Sequence, residues 1–197
     1  LKSNFALIIA VFLCSIHIGS AQNIFSEVGF GVGNVLGEEH PKGRAELHLN
    51  VLKSYNFGEL GLDFSTGGNF IPGTTTGSEN NVETLSPNDA KFYSITAFYR
   101  LRISKDIFLE PRAGYSSLYH SVLVDDKRTI NASNVSYGLG VGTTIANKFS
   151  VSLRYQHLGN TPEYTGTQDM TTIISNAEPM DVVLLRVSYR FNWNTIF

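Results

Sequence analysis

Two sets of charged side chains recur at alternate positions of short, otherwise apolar runs. The acids are Glu27, Glu46, Glu59, Asp63 and Glu110; the bases are Arg100, Arg102, Arg112, Arg154, Arg186 and Arg190. All the bases are arginine, whose planar fork grips a carboxylate at two points, whereas a solvated face recruits lysine as well. Charges taken out of water are tolerated only when paired. The near balance of the two sets therefore reads as a buried ion-pair network.

Other chemistry is sparse. His157-Leu158-Gly159-Asn160 is the one segment of enzymatic shape, yet Gly159 gives His157 no hydroxyl to activate. His48 shares the parity of the charged set and reads as a member of it. No second His or Cys stands at metal-site spacing. Asp125-Asp126 lacks the fuller oxygen set that calcium needs. Gly138-x-Gly140-x-Gly142 lies inside a strand pattern with no helix after it, which a phosphate loop requires. The chain is expected to be non-enzymatic, with no metal and no cofactor.

The elements that position these residues are strands. Near the C-terminus Val183, Leu185, Val187, Tyr189, Phe191 and Trp193 share one parity, while Leu184, Arg186, Ser188, Arg190 and Asn192 share the other. This is period-2 alternation. The same rule recurs in segments beginning near Ile24, Ala45, Glu59, Tyr93, Ile107, Val135 and Phe149. That makes eight strands of about 9–13 residues, the length with which a tilted strand crosses a bilayer.

Their connections alternate. Tight turns are expected at 53–56, 104–106 and 146–148, and longer excursions at 37–43, 67–90, 119–133 and 158–179. A soluble sandwich has no reason to sort its loops by length onto one end, whereas a membrane barrel does so. The fold class expected is all-β: an eight-stranded antiparallel up-and-down transmembrane β-barrel, porin-like in its wall. Its apolar parity faces lipid and its charged parity fills the lumen, because eight strands enclose little more than side-chain volume. The inner glycines 29, 31, 33, 138, 140 and 142 leave room for the arginines opposite. Tyr55, Phe57, Phe149, Phe191 and Trp193 form one interfacial belt; Phe64, Tyr93, Tyr115 and Tyr155 form the other. Pro111, mid-strand, removes a ladder donor and predicts a bulge or a local fault.

The N-terminus reads separately. Lys2, the apolar run Phe5 to Ile18 and the small residues Gly19-Ser20-Ala21 describe a signal peptide over 1–21, cut before Gln22, with the barrel domain over 22–197. Cys14 follows Leu13 rather than a small residue, which argues against lipoprotein processing. Losing Lys2 leaves 14 basic side chains against 17 acidic ones, a net charge of about −3. That balance argues against nucleic-acid binding.

Phe108-Leu109-Glu110-Pro111-Arg112-Ala113-Gly114-Tyr115, Leu153-Arg154-Tyr155-Gln156-His157 and Val187-Ser188-Tyr189-Arg190-Phe191 resemble the small Gram-negative outer-membrane barrels. These are the OmpA/OmpX-type and opacity-protein-like families, especially their Bacteroidota versions, and the resemblance covers residues 22–197. It implies a monomer integral to the bacterial outer membrane, in contact with outer-membrane lipid including lipopolysaccharide. It also implies recognition by the barrel-assembly machinery of an aromatic terminal strand carrying Tyr189, Phe191, Trp193 and Phe197. The role implied is structural, surface-binding, or that of a subunit in an outer-membrane assembly. The excursions 67–90 and 158–179 are the expected contacts for outer-membrane protein partners, with Phe70-Ile71 and Ile173-Ile174 as apolar spots. The alternative is a lipid A-modifying enzyme or a degenerate relative of one. The stretch from His157 to Asn160 resembles the His-x-Ser-Asn of the lipid A deacylase barrels, with His157 and Asn160 as the lipid-facing site.

Overall fold

The computed structural model describes residues 24–37, 43–69, 82–85, 87–121, 129–146, 148–168 and 171–192. The segment read as a signal peptide, Phe70-Ile71, Asp125-Asp126, Trp193 and Phe197 lie outside the described residues.

In chain order the strands are β1 (Ile24–Val35), β2 (Arg44–Tyr55), β3 (Gly58–Asn69), β4 (Val82–Leu85), β5 (Lys91–Arg102) and β6 (Ile107–Ser121). They continue as β7 (Thr129–Ile145), β8 (Phe149–Asn160), β9 (Tyr164–Gln168), β10 (Thr171–Ser175) and β11 (Pro179–Asn192). Eight of them close a barrel in the order β1-β11-β8-β7-β6-β5-β3-β2. Every neighbouring pair is antiparallel. The C-terminal strand zips the seam, pairing with β8 on one side and with β1 on the other. Closure leaves no edge, so the backbone groups of the wall pair with neighbouring strands without water, except at one fault in the β5–β6 ladder.

The alternation now has a direction. Leu47, Val135 and Tyr115 point outward and are 65%, 63% and 62% exposed, whereas Glu27 and Asp63 point inward and are 0% exposed. A soluble protein does not cover itself in leucine, valine and tyrosine while burying carboxylates. The polarity is inverted because the solvent around the wall is lipid.

At one end the connections are short: Tyr55 pairs with Gly58 across a two-residue hairpin, and the turns after β5 and β7 are nearly as tight. The opposite end departs from expectation. The strands β6 and β7 run 15 and 17 residues, and rungs such as His120–Ile130 consume much of the expected 119–133 loop. The excursions 67–90 and 158–179 are not two separate loops. They contribute β4 and the pair β9–β10 to one three-stranded sheet, with β4 parallel to β10 and β9 antiparallel to it. Of the two apolar residues expected as a contact spot, Ile173 is only 5% exposed and Ile174 is half-buried.

Pro111 causes a fault but no bulge. The β5–β6 register is the same at Phe98–Arg112 and at Leu101–Leu109, with the rungs between them missing, and Pro111 still pairs with Leu139 on its other side. The wall's register shift lies instead between Pro179 and Asp181, opposite Asn160 and His157.

Candidate functional site

Inside the barrel the charged set forms one connected network. Glu27 of β1 is the hub of its short-turn end. Its Oε1 accepts from Arg100 Nη1 at 2.6 Å and from Arg190 Nε and Nη2 at 2.9 and 2.8 Å. Its Oε2 accepts from Arg100 Nη2 at 2.7 Å and from Asn50 Nδ2 at 3.1 Å. Arg190 also forks onto Glu59, one nitrogen to each oxygen at 2.8 Å. Glu110 links this layer to the next, accepting from Arg100 Nε at 2.5 Å and, on its other oxygen, from Arg112.

The middle layer centres on Asp63, which draws in Arg112 at 2.6 Å, Arg154 at 3.0 Å and Arg186 at 3.2 Å. Glu46 pairs with Arg186, and His48 joins through Nε2 to the Ser188 hydroxyl at 2.7 Å. Ten of the expected charged residues are thus drawn together, each at most 8% exposed. The eleventh, Arg102, differs. Its side chain is 50% exposed and reaches Glu59 at 3.2 Å from the barrel mouth. As the last residue of β5 it sits beyond the enclosed layers.

Aromatic rings share this interior. Arg100 lies 4.7 Å from the Phe108 ring and 5.3 Å from the Phe98 ring, and Arg190 lies 4.9 Å from Phe25. These are cation–π contacts in a desolvated setting. Phe98, Phe92 and Phe108 each stand directly across from an inner glycine, Gly61, Gly67 and Gly142 respectively. A Cβ on Gly61 would lie 2.4 Å from Phe98 Cζ, so the ring needs the bare backbone beneath it. Gly31, opposite Arg186, leaves room for an arginine in the same way.

The long-loop end of the lumen holds what alternation alone did not reveal. Val35, Ala90, Phe92, Leu118, Leu158, Met180, Val182 and Leu184 form an apolar cluster there. Arg44, absent from the expected set, is 1% exposed and reaches upward. It donates to Asn69 Oδ1 at 3.3 Å, to the Pro87 carbonyl at 3.4 Å and to the Ala90 carbonyl. It thereby ties the 3₁₀ turn Pro87–Asp89 to the long-loop end of the barrel. The only sequence signal for Arg44 was its parity with Glu46.

On the outer face, His157 projects from β8 with Nδ1 2.8 Å from Asp181 Oδ1. The Tyr155 hydroxyl donates to the same oxygen at 2.9 Å, and the Tyr137 ring stacks on the imidazole at 4.8 Å. Asn160 is gripped by Asn134 through its own backbone: the N–H donates to Asn134 Oδ1 at 3.2 Å and the carbonyl accepts from Asn134 Nδ2 at 2.9 Å. Gly159, between them, has φ +92°, and a Cβ there would fall 2.1 Å from Asn134 Cβ. This glycine is demanded by the backbone at the register shift. Asp181 was missed because only the β8–β11 register brings it beside His157. On the terminal strand, Tyr189 packs edge-on against Phe149 at 5.2 Å and Phe191 at 4.7 Å, building the outward aromatic group at the short-turn end.

A closed eight-stranded wall, apolar outside and ion-paired inside, defines a small outer-membrane β-barrel protein. The chain matches the family model described as "Outer membrane protein beta-barrel domain" over residues 6–191, and it belongs to that family. No curated protein sequence matches it. Among solved structures it is similar to Neisserial surface protein A, at 11% identity and a TM-score of 0.63, covering 86% of this chain and 97% of that one. The N-terminal β-barrel domain of Pseudomonas aeruginosa OprF gives 12% identity and a TM-score of 0.51, with 86% and 98% covered. The Yersinia pestis outer-membrane protein Ail in a phospholipid nanodisc gives 17% and 0.50, with 86% and 99% covered. At these identities the likeness is one of fold.

Proposed function

We propose that this integral outer-membrane barrel acts without catalysis, through its outer end, as an envelope component that binds a partner at the cell surface or within an outer-membrane assembly. One observation carries the reading: the two longest excursions join into a single sheet fixed to the rim above a filled lumen. The neck of the excursion that carries β9 and β10 is closed by polar contacts. The Thr161 hydroxyl donates to the Asn176 carbonyl at 2.8 Å and accepts from the Glu178 N–H at 3.0 Å, while the Ser175 hydroxyl donates to the Pro162 carbonyl at 2.6 Å. A conformationally defined platform is suited to recognition, since little ordering entropy is lost when a partner docks. The packed, paired interior favours this over a solute channel, and Gly159 at the position a nucleophile would need favours it over a deacylase.

The test is co-purification in mild detergent. The intact chain is compared with one in which residues 163–177 are replaced by a short Gly/Ser linker. A partner lost with the platform, while the barrel keeps its heat-modifiable gel shift, supports the reading. An unchanged set of co-purifying proteins overturns it, and a changed lipid A acyl pattern on deleting the gene favours the enzyme.

A further inference from the structure

The lipid-facing wall is not uniformly convex. Near its long-loop end a groove of about 480 Å³ opens across β1, β2, β3, β5 and β6. Its floor is made of small outward residues: Ala45 pairs with Val32 on one side and with Gly68 on the other, and Thr66 lies one rung below. Phe30 and Leu47 wall one side, 54% and 65% exposed. The opposite wall is Tyr119, stacked on Tyr93 at 5.3 Å with its hydroxyl donating to the Tyr93 hydroxyl at 3.3 Å. Lys91, paired with Tyr119 across β5–β6, stands exposed at the groove's outer end. Among the described carboxylates none forms an ion pair with Lys91; Glu46, which also borders the groove, is turned to Arg186 in the lumen.

We infer that this groove seats one acyl chain of a singly phosphorylated glycolipid of the outer leaflet, with the phosphate on Lys91. An apolar trough of this size buries a chain segment against fixed walls rather than against fluid lipid. A long lysine at the membrane boundary carries its ammonium to headgroup depth. One cation at the groove matches one phosphate. The tyrosine hydroxyl pair beside it supplies donors and acceptors for sugar hydroxyls, which a simple glycerophospholipid does not need. The long-loop end of the barrel places the site in the outer leaflet.

The test is lipid retention by the full barrel in mild detergent, counted by native mass spectrometry after titration with monophosphoryl lipid A, phosphatidylglycerol or phosphatidylcholine. One molecule of monophosphoryl lipid A should be held more tightly than either phospholipid. Lys91→Gln should weaken that binding roughly fivefold, the worth of one lysine–anionic lipid contact of about 1 kcal/mol. Ala45→Phe, which fills the trough, should abolish the preference while the heat-modifiable shift persists. Lys91→Gln sits at an exposed position and carries the test alone if Ala45→Phe does not fold. Equal retention of the three lipids, phosphatidylglycerol held as tightly as the glycolipid, or unchanged binding in Lys91→Gln would overturn the assignment.

Discussion

Arg190 and Glu59, 131 residues apart in sequence, meet inside the barrel as a two-pronged pair, each oxygen of the carboxylate accepting from one guanidinium nitrogen at 2.8 Å. The same guanidinium holds Glu27, its cross-strand neighbour on β1. Barrel closure and lumen pairing are therefore coupled: the seam strand enters carrying the cation that two carboxylates already placed by β1 and β3 require. Removing one partner of such a buried set leaves a charge uncompensated and costs about 3–5 kcal/mol. Arg190→Ala and Glu27→Ala should each lower the unfolding free energy of the barrel by that order, read as an earlier urea transition by circular dichroism in detergent. Arg102→Ala, at the half-exposed mouth, should cost under about 1 kcal/mol. Equal effects from the three variants would mean that the lumen is solvated.

Phe98 and Gly61 make an independent test of packing. The ring occupies the space where a Gly61 Cβ would stand and is 2% exposed. Phe98→Ala should destabilise by about 3–5 kcal/mol through the cavity it leaves. Gly61→Val should displace the ring and cost about 1–3 kcal/mol by overpacking. The double variant should cost less than the sum of the two, because the valine then fills part of the ring's space. Strict additivity would separate the two residues.

Most of this architecture was legible from alternation, and for a physical reason. A closed eight-stranded wall has only two faces, so parity assigned Glu27, Asp63, Arg112 and Arg186 to the lumen before any contact was known. Parity carries no such information where both faces of a strand share one chemistry or where a strand ends. Along Val182–Leu185 both faces are apolar, because the lumen's outer end is an aliphatic cap, and composition does not separate cap from lipid face. Arg102 has the inner parity yet lies at the last rung, where inside becomes mouth. The sheet of β4, β9 and β10 pairs segments rich in Thr, Ser and Gly, whose pattern is weak and whose register is set by long-range contacts. Asp181 and Gly159 became interpretable only with the β8–β11 register shift.

Gly159 yields a prediction about chemistry. Gly159→Ser restores a hydroxyl two residues after His157, whose imidazole is already oriented by Asp181. The backbone there has φ +92° and Asn134 fills the space a side chain needs. The variant should lose about 1–3 kcal/mol and leave lipid A acylation unchanged by mass spectrometry. Acyl loss in the variant would revive the enzyme reading.

Arg44 should act as a latch on the mouth. Its guanidinium spans the carbonyls of Pro87 and Ala90. Arg44→Ala should raise amide hydrogen exchange over residues 88–90 by at least tenfold, because about two net hydrogen bonds from a charged donor are lost. Exchange in β1 and β11 near Glu27 should remain as in the parent chain. Uniform acceleration across the wall would instead indicate global destabilisation, and the latch assignment would fail.

The terminal strand separates assembly from stability. Phe191 is 41% exposed on the lipid face and touches only Tyr189 among the described aromatic rings, so its burial against lipid, rather than core packing, is what truncation removes. Phe191→Ala should therefore unfold within about 1–2 kcal/mol of the parent once refolded in detergent. If the outward aromatic strand end is what the assembly machinery reads, the same variant should nevertheless accumulate poorly as heat-modifiable barrel in the outer membrane of cells. Removing residues 194–197 should leave stability in detergent unchanged, and normal accumulation of that deletion in cells would take Phe197 out of the assembly signal while leaving Phe191 in it. A variant that refolds poorly in detergent as well would assign Phe191 to stability, and normal accumulation in cells would remove it from the assembly signal.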